Sequence, residues 1–288
     1  MGHAPRIGIF DSGIGGLNVA AAIRQALPTE RLLYFGDNAH VPYGERTAEE
    51  ILAFSTAITE ALLAKGCEAI VVACNTASSA ALGPLRKQFP GVIIVGMDPA
   101  VKPAVEHTRT GVVGVLATRA TVDGRALADV VERFGQGVEV IRQACPGLAQ
   151  RIDAGDFEGA KTEEMLRGWI EPMVLKGIDT LVLGCTHYPL VRPLIERIAG
   201  PGVRVIEPSE AIARRLKSLL EEHALFSTSG SIPPAGSPPR DPAASQGLLA
   251  CYTSGDPANF RKVLERLGLE DAPVKQGIWE ADGSLKLP

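Results

Sequence analysis

The sequence predicts an α/β protein of two pseudo-symmetric α/β domains, each with a mainly parallel sheet, and an active site in the cleft between them. Three observations carry that prediction. One stretch occurs twice, as Leu62 to Ser78 (LLAKGCEAIVVACNTAS) and Met173 to Pro189 (MVLKGIDTLVLGCTHYP). Setting Cys185 over Cys74 puts Lys176-Gly177 over Lys65-Gly66, Asp179 over Glu68 and Leu181-Val182-Leu183 over Ile70-Val71-Val72. Short, wholly apolar runs alternate with helix-period segments, as in parallel sheets covered on both faces. A cysteine closes each copy of the duplicated strand, at the carboxyl edge where open α/β sheets bind ligands.

Composition narrows the classes. The chain has 288 residues, 45% of them hydrophobic, enough for one large or two modest cores. A net charge of −4 leaves no basic footprint, so no nucleic-acid partner is expected. The apolar runs are far shorter than the roughly 20 residues of a membrane span, and the first residues lack the apolar core of a signal peptide. The reading is a cytoplasmic protein with no membrane partner. Five cysteines, an odd number without an export signal, argue against a disulfide framework. Cys185-Thr186-His187 lacks a second cluster to complete a tetrahedral site, so no metal is expected.

Arg6 to Phe10 is the first strand. Asp11-Ser12-Gly13-Ile14-Gly15-Gly16 turns at its end, placing Asp11 and Ser12 at the sheet edge. A dinucleotide fingerprint fails at Asn18, so no nucleotide cofactor is inferred; the glycines instead let backbone N–H groups approach an anion. Leu17 to Leu27 is a helix and Leu32 to Phe35 a strand. Gly36 to Gly44 is a polar loop, in which Tyr43 and Gly44 serve equally well as turn residues or as ligand groups. Thr47 to Glu50 is a capping box, opening a helix with Ile51, Phe54, Ile58 and Leu62 inside. After the first cysteine strand, Pro90 to Met97 is another strand, and Asp98-Pro99 breaks the chain.

The pattern then restarts. Gly111 to Leu116 resembles the first strand, and Thr118-Arg119-Ala120-Thr121 takes the place of the Asp11 turn. A helix carries Leu127, Val130, Val131 and Phe134. Val138 to Arg142 is a strand, Cys145 to Gly155 a loop with a short helix, and Thr162 to Lys176 a helix bent at Pro172. The second cysteine strand follows, then a strand at Val203 to Ile206. Ser209 is expected to cap the next helix. Phe226 to Gly247, rich in Pro, Ser and Gly, reads as a flexible, disordered insert. Leu248 to Thr253 is a strand, and Asp256-Pro257 supplies N-cap and N1 of a last helix. This final piece lacks a cysteine copy and completes one of the two halves rather than forming a third domain.

Two such halves would bring Cys74 and Cys185 to a ligand from opposite sides. Inverting a carbon that bears hydrogen takes a base on one face and an acid on the other. Thiols of depressed pKa suit that work, and each cysteine precedes a predicted helix N-terminus that favours the anion. The bland alternative is cysteine as a small hydrophobe. It is preferred for Cys67 and Cys251, evenly weighed against cleft lining for Cys145, and disfavoured for Cys74 and Cys185, whose placement recurs. His187, beside Cys185, is a candidate for tuning that thiol.

FDSGIGG (Phe10 to Gly16), YFGDNAHVPYG (Tyr34 to Gly44), ACNTAS (Ala73 to Ser78), LGCTHYPL (Leu183 to Leu190), PSEAIA (Pro208 to Ala213) and TSGDPANF (Thr253 to Phe260) carry a resemblance over nearly the whole chain. The chain resembles the glutamate racemases of the cofactor-independent aspartate/glutamate racemase superfamily. The resemblance implies interconversion of L- and D-glutamate without a cofactor, supplying D-glutamate for bacterial peptidoglycan. Cys74 would take the α-proton of D-glutamate, assisted by Asp11, and Cys185 that of L-glutamate, assisted by His187. Asp11, Ser12, Tyr43, Gly44, Asn75, Thr76, Thr118, Thr121, Thr186 and His187 would line the substrate site. The partner implied is small-molecule glutamate, with a homodimer left open. Departures are Gly124 and Leu127 where the family often has serine and tyrosine, Gln150 for proline, and Asp153 for a glutamate thought to help the second cysteine. Two alternatives stand: a racemase of a related acid such as aspartate, which binding energy separates from glutamate by only about 10- to 200-fold, and a non-catalytic amino-acid-binding protein, which needs no matched cysteines.

Overall fold

The structure, a computed structural model, describes residues 7–98, 100–135, 137–223 and 248–288. The predicted insert at Phe226 to Gly247 lies outside the described residues. In the first half, β1 (Ile7–Asp11), α1 (Leu17–Ala26), β2 (Leu32–Gly36), α2 (Ala48–Ala64), β3 (Ala69–Val72), α3 (Asn75–Gln88) and β4 (Ile93–Gly96) alternate. Next come α4 (Val101–His107), β5 (Val112–Ala117), α5 (Arg119–Val122), α6 (Arg125–Phe134), β6 (Glu139–Ala144), α7 (Leu148–Asp153), α8 (Ala160–Leu175), β7 (Thr180–Gly184), α9 (Arg192–Ala199) and β8 (Arg204–Ile206). The chain ends with α10 (Ser209–Glu222), β9 (Leu249–Thr253), α11 (Pro257–Arg266), β10 (Val274–Gln276) and the hairpin of β11 (Ile278–Trp279) and β12 (Leu285–Lys286). Among the described residues no helix is long and apolar enough to cross a membrane.

The strand order displays the internal repeat. The first sheet runs β10-β9-β2-β1-β3-β4 and the second β6-β5-β7-β8. All neighbours within these two sheets are parallel. The segment β2-β1-β3-β4 therefore matches β6-β5-β7-β8, with the cysteine strands β3 and β7 in equivalent places beside β1 and β5. Residues of both strands are fully enclosed, as continuous apolar runs require. The C-terminal strands β9 and β10 extend the first sheet at its β2 edge.

Both duplicated strands are entered through the same helix stop. Gly66 and Gly177 take φ of 80° and 85°, left-handed values that glycine adopts without a Cβ penalty. Around Gly66, its own N–H bonds Leu63 O at 2.9 Å and Cys67 N bonds Leu62 O at 3.2 Å. Around Gly177 the equivalent bonds run to Val174 O at 2.9 Å and from Ile178 N to Met173 O at 3.3 Å. Asp179 follows at the entrance of β7. Its carboxylate accepts from Thr108 Oγ1 (2.6 Å), Arg109 N (2.6 Å) and Thr110 N (3.0 Å), tying the entrance of β7 to that of β5.

The capping box at Thr47 and Glu50 forms in both directions, and Asp256 caps α11 through Ala258 N at 2.8 Å. Ser209 does not cap α10. It is the first helical residue, and Glu207 Oε2 accepts its N–H at 2.8 Å instead. The α4 and α9 helices were not anticipated. Each has a proline near its start, Pro103 and Pro193, where a missing N–H costs nothing.

Candidate active site

Four strand ends converge on one cleft. β1 delivers Asp11 and Ser12, β3 delivers Cys74, β5 delivers Thr118, and β7 delivers Cys185. The cleft is lined by both of those cysteines together with Ser12, Tyr43, Gly44, Asn75, Thr76, Thr118, Thr186 and His187. Asp11 and Thr121 lie behind this surface, Asp11 wholly buried beneath Ser12 and Thr121 under Thr118.

The Asp11 turn folds back on its own carboxylate, which accepts Gly16 N–H at 2.8 Å. Ser12 Oγ donates to Oδ1 at 3.5 Å, and Thr186 Oγ1 from the other half donates to the same oxygen at 3.3 Å. Cys74 donates in turn to Ser12 Oγ at 3.7 Å. Its sulfur also accepts Ala77 N–H at 3.5 Å, because Cys74 is the N-cap of α3. A depressed Cys74 pKa was expected from that helix start. Burial pushes the thiol up instead, and the Asp11 charge pushes in the same direction, outweighing the Ala77 N–H. Cys74 is therefore a thiol in this site.

Cys185 is set differently. No α-helix starts at it: a 3₁₀ turn (Tyr188–Val191) follows, and α9 begins only at Arg192. The expected helix-start stabilisation is thus absent, and a histidine stands in its place. His187 Nδ1 lies 3.9 Å from Cys185 Sγ, and Nε2 lies 3.4 Å from Asp153 Oδ1. Burial disfavours the charged ring, but Asp153 and Cys185 outweigh it and raise the His187 pKa well above its ordinary value. The aspartate reaches despite its short side chain, since α7 brings it in and three groups hold it. Asn38 Nδ2 donates to both carboxylate oxygens at 3.0 Å, Ile14 N donates to Oδ1 at 3.3 Å, and Asn259 Nδ2 bonds the Asp153 carbonyl.

The polar wall spans both halves. Thr118 Oγ1 donates to Thr121 Oγ1 at 3.0 Å and accepts Thr121 N–H at 3.2 Å, leaving Thr76 Oγ1 at 3.1 Å to donate to it. Gly44 faces Thr118, where a Cβ would come within 3.3 Å of Thr118 Cβ. Tyr43 OH donates to Asp37 Oδ2 at 2.7 Å, and burial holds its phenol protonated. Asn75 is 5% exposed, yet among the described residues neither its Nδ2 nor its Oδ1 has a hydrogen-bond partner. Each such buried group costs about 1–3 kcal/mol if nothing binds it, so the amide marks a place for a polar ligand.

Val41, Pro42, Glu45, Arg119, Pro146, Gly147, Ala149 and Gln150 also line the cleft and are not among the expected site residues. Arg119 had a signal, lying between the two threonines of its turn. Glu45 and Gln150, joined at 2.9 Å across the two halves, had none, because that contact exists only once the halves meet. Cys145 joins the lining, buried and with its thiol pushed up by burial.

A family model described as Asp/Glu/Hydantoin racemase matches residues 17–216. A glutamate racemase of Roseiflexus sp. (strain RS-1) is 44% identical over 96% of this chain and 97% of the relative. Among solved structures, glutamate racemase isoform RacE1 from Bacillus anthracis superposes with a TM-score of 0.81 at 30% identity, covering 94% of this chain and 97% of that one. Escherichia coli glutamate racemase, solved in complex with L-glutamate and the activator UDP-MurNAc-ala, gives 0.78 at 30% identity, covering 99% and 100%.

Proposed function

The chain belongs to the Asp/Glu/hydantoin racemase family, and from that premise we propose that it interconverts L- and D-glutamate by proton transfer between Cys74 and Cys185, without a cofactor. One observation carries the reading: two cysteines at the ends of equivalent strands line a single cleft. The glutamate specificity is supported by the relatives of high identity and by the E. coli structure solved with L-glutamate.

The chemistry needs one thiolate and one thiol at a time. The thiolate takes the α-proton, the C–H electron pair passes to the α-carbon and its carboxylate, and the opposite thiol returns a proton to the other face. Cys74, kept protonated by burial, is the donor form. His187, which retains its proton, can donate Nδ1–H to a Cys185 thiolate. This pair accepts the α-proton of L-glutamate at Cys185 and delivers one from Cys74 to form D-glutamate; the reverse protonation state serves D-glutamate. Asp11 receives the hydrogen bonds that orient Ser12 and Thr186. Asn75, Thr76, Thr118 and Thr186 offer donors for the two carboxylates, with Tyr43, Gly44 and Thr121 shaping and backing that wall. The product would enter peptidoglycan synthesis in the cytoplasm. Residues 1–98 with 209–288 would form one domain and 99–208 the other, a division supported by sheet membership.

The test is proton NMR of each glutamate enantiomer in D2O with the purified protein, aspartate in parallel. Loss of the α-proton signal with inversion of glutamate is the expected result. Cys74→Ser and Cys185→Ser should each abolish inversion while calorimetry still detects glutamate binding. Inversion that survives either substitution would defeat the two-thiol scheme.

A further inference from the structure

We propose that Asn38 is a positioning residue for this reaction: its side-chain amide holds the Asp153 carboxylate against His187 and so governs the proton shared with Cys185. The inference rests on the thiol chemistry proposed above for Cys185.

The amide has one orientation. Thr253 Oγ1, at the end of β9, accepts Gly255 N–H at 3.0 Å. A carboxylate only accepts, so the Asn38 atom facing Asp153 is Nδ2, and Thr253 gives its own hydrogen to Asn38 Oδ1, 2.7 Å away. Nδ2 meets both Asp153 oxygens at 3.0 Å. The relay runs from the C-terminal strand of the first sheet through Thr253, Asn38, Asp153 and His187 to Cys185 in the second half.

The slot for Asn38 is built by glycines. A Cβ on Gly13 would lie 3.2 Å from Asn38 Nδ2, one on Gly36 would lie 3.1 Å from Oδ1, and one on Gly255 would overlap Asn38 Cβ. The side chain is thus enclosed on three sides, with little rotamer freedom to lose.

Asp153 needs this support. Its 3.4 Å separation from His187 Nε2 is long beside the 2.7–2.9 Å of a good charge-assisted bond. A side chain one methylene shorter than glutamate is stretched between two partners, and it is 16% exposed, so water competes for it. The ionisable groups that face His187 are Asp153 from α7, Cys185 from its own loop and Asp11 from β1. Of these, Asp153 is the one whose placement depends on Asn38.

The test uses the full chain carrying Asn38→Leu. By NMR of the histidine rings, the His187 titration should fall by about one unit, which is about tenfold less imidazolium above the midpoint. The high-pH limb of kcat/KM should move down with it. Because enantiomers interconvert with an equilibrium constant of one, kcat/KM must fall equally in both directions. Adding Asp153→Glu, whose longer arm reaches without Asn38, should return both the titration and the limb toward wild type. Thr253→Val is a second arm should Asn38→Leu not fold: it keeps Asn38 but frees its amide, and should give the same shift at smaller size. A His187 titration unchanged in the folded variants overturns the proposal, whatever their activity. Wild-type protein that fails to exchange the glutamate α-proton would refute the proposed function, while the His187 titration still decides the role of Asn38.

Discussion

Gly15→Ala tests how closely the two halves must approach for the site to work. Gly15 lies in the turn after β1, and a Cβ there would stand 2.6 Å from His187 N, 2.6 Å from His187 Nδ1 and 2.6 Å from Thr186 C. Ordinary contact begins near 3.4 Å, so residues 186–187 must retreat by about 0.8 Å. Two of the three atoms are backbone, and no change of rotamer relieves them. The retreat moves Thr186 off Asp11 and His187 off its place between Cys185 and Asp153. A misplacement of about 1 Å costs on the order of 10²-fold in rate, or about 2.7 kcal/mol of transition-state stabilisation. The overpacking itself should cost about 1–3 kcal/mol of stability.

The assay is polarimetric racemisation of D-glutamate, with a thermal melt on the same sample. Gly83→Ala is the control, because a Cβ on that exposed residue of α3 meets nothing among the described residues within 4 Å. It should leave activity intact and add about 0.5–1 kcal/mol of stability. Full activity in Gly15→Ala, with or without a lowered melt, would refute the argument that catalysis depends on His187 at this position.

The remaining predictions concern single groups. Asp179 is held near pKa 2: burial opposes its charge, but the donors from Thr108, Arg109, Thr110 and Thr180 outweigh that. Its folded pKa is depressed, so its contribution is present above about pH 4 and is lost as pH falls toward 2. Allowing for its partial exposure, Asp179→Asn should cost about 1–2 kcal/mol at neutral pH. Denaturant melts of wild type and variant should converge near pH 2, and a constant gap would refute the linkage. Asp11→Asn in a Cys185→Ser background removes the second influence that raises the Cys74 pKa, leaving burial in place. The pH at which iodoacetamide modifies Cys74 should therefore drop, and a rise would mean that Asp11 acts there by another route. Thr47→Ala opens the capping box of α2 and should cost about 1 kcal/mol in urea melts.

The duplicated motif was legible because it depends on local rules. Lys-Gly stops a helix by backbone conformation, and an apolar run in a parallel sheet needs no long-range information to be recognised. The two halves and the equivalence of β3 and β7 are read from such patterns, whereas the joining of the C-terminal piece to the first sheet is implied by the resemblance. The environments of the thiols did not. Whether a helix start lowers a cysteine pKa depends on how deeply the sulfur is buried and which charge stands behind it. For Cys74 both run against the helix. For Cys185, Pro189 and Pro193 delay the helix, so its copy position promised a cap that the chain does not build. Asp153 stands where the family has a glutamate, and a shorter side chain reads as lost reach; reach is set instead by α7 and by Asn38, neither visible in the spacing. Thr121 was placed among the lining by resemblance and stands instead behind Thr118.

These differences between the halves bear on the mechanism rather than spoil the symmetry. Under the proposed chemistry, neither the form with both thiols protonated nor the form with both ionised can transfer a proton across a substrate. What the reaction requires is a pair held in opposite states that exchange with each turnover. The fold supplies equivalent positions through β3 and β7. The loops then break the equivalence, with Asp11 and burial keeping a proton on Cys74, and with His187 set to offer one beside Cys185. A repeat alone leaves open which thiol holds the proton; under the proposed chemistry the departures from the repeat assign it.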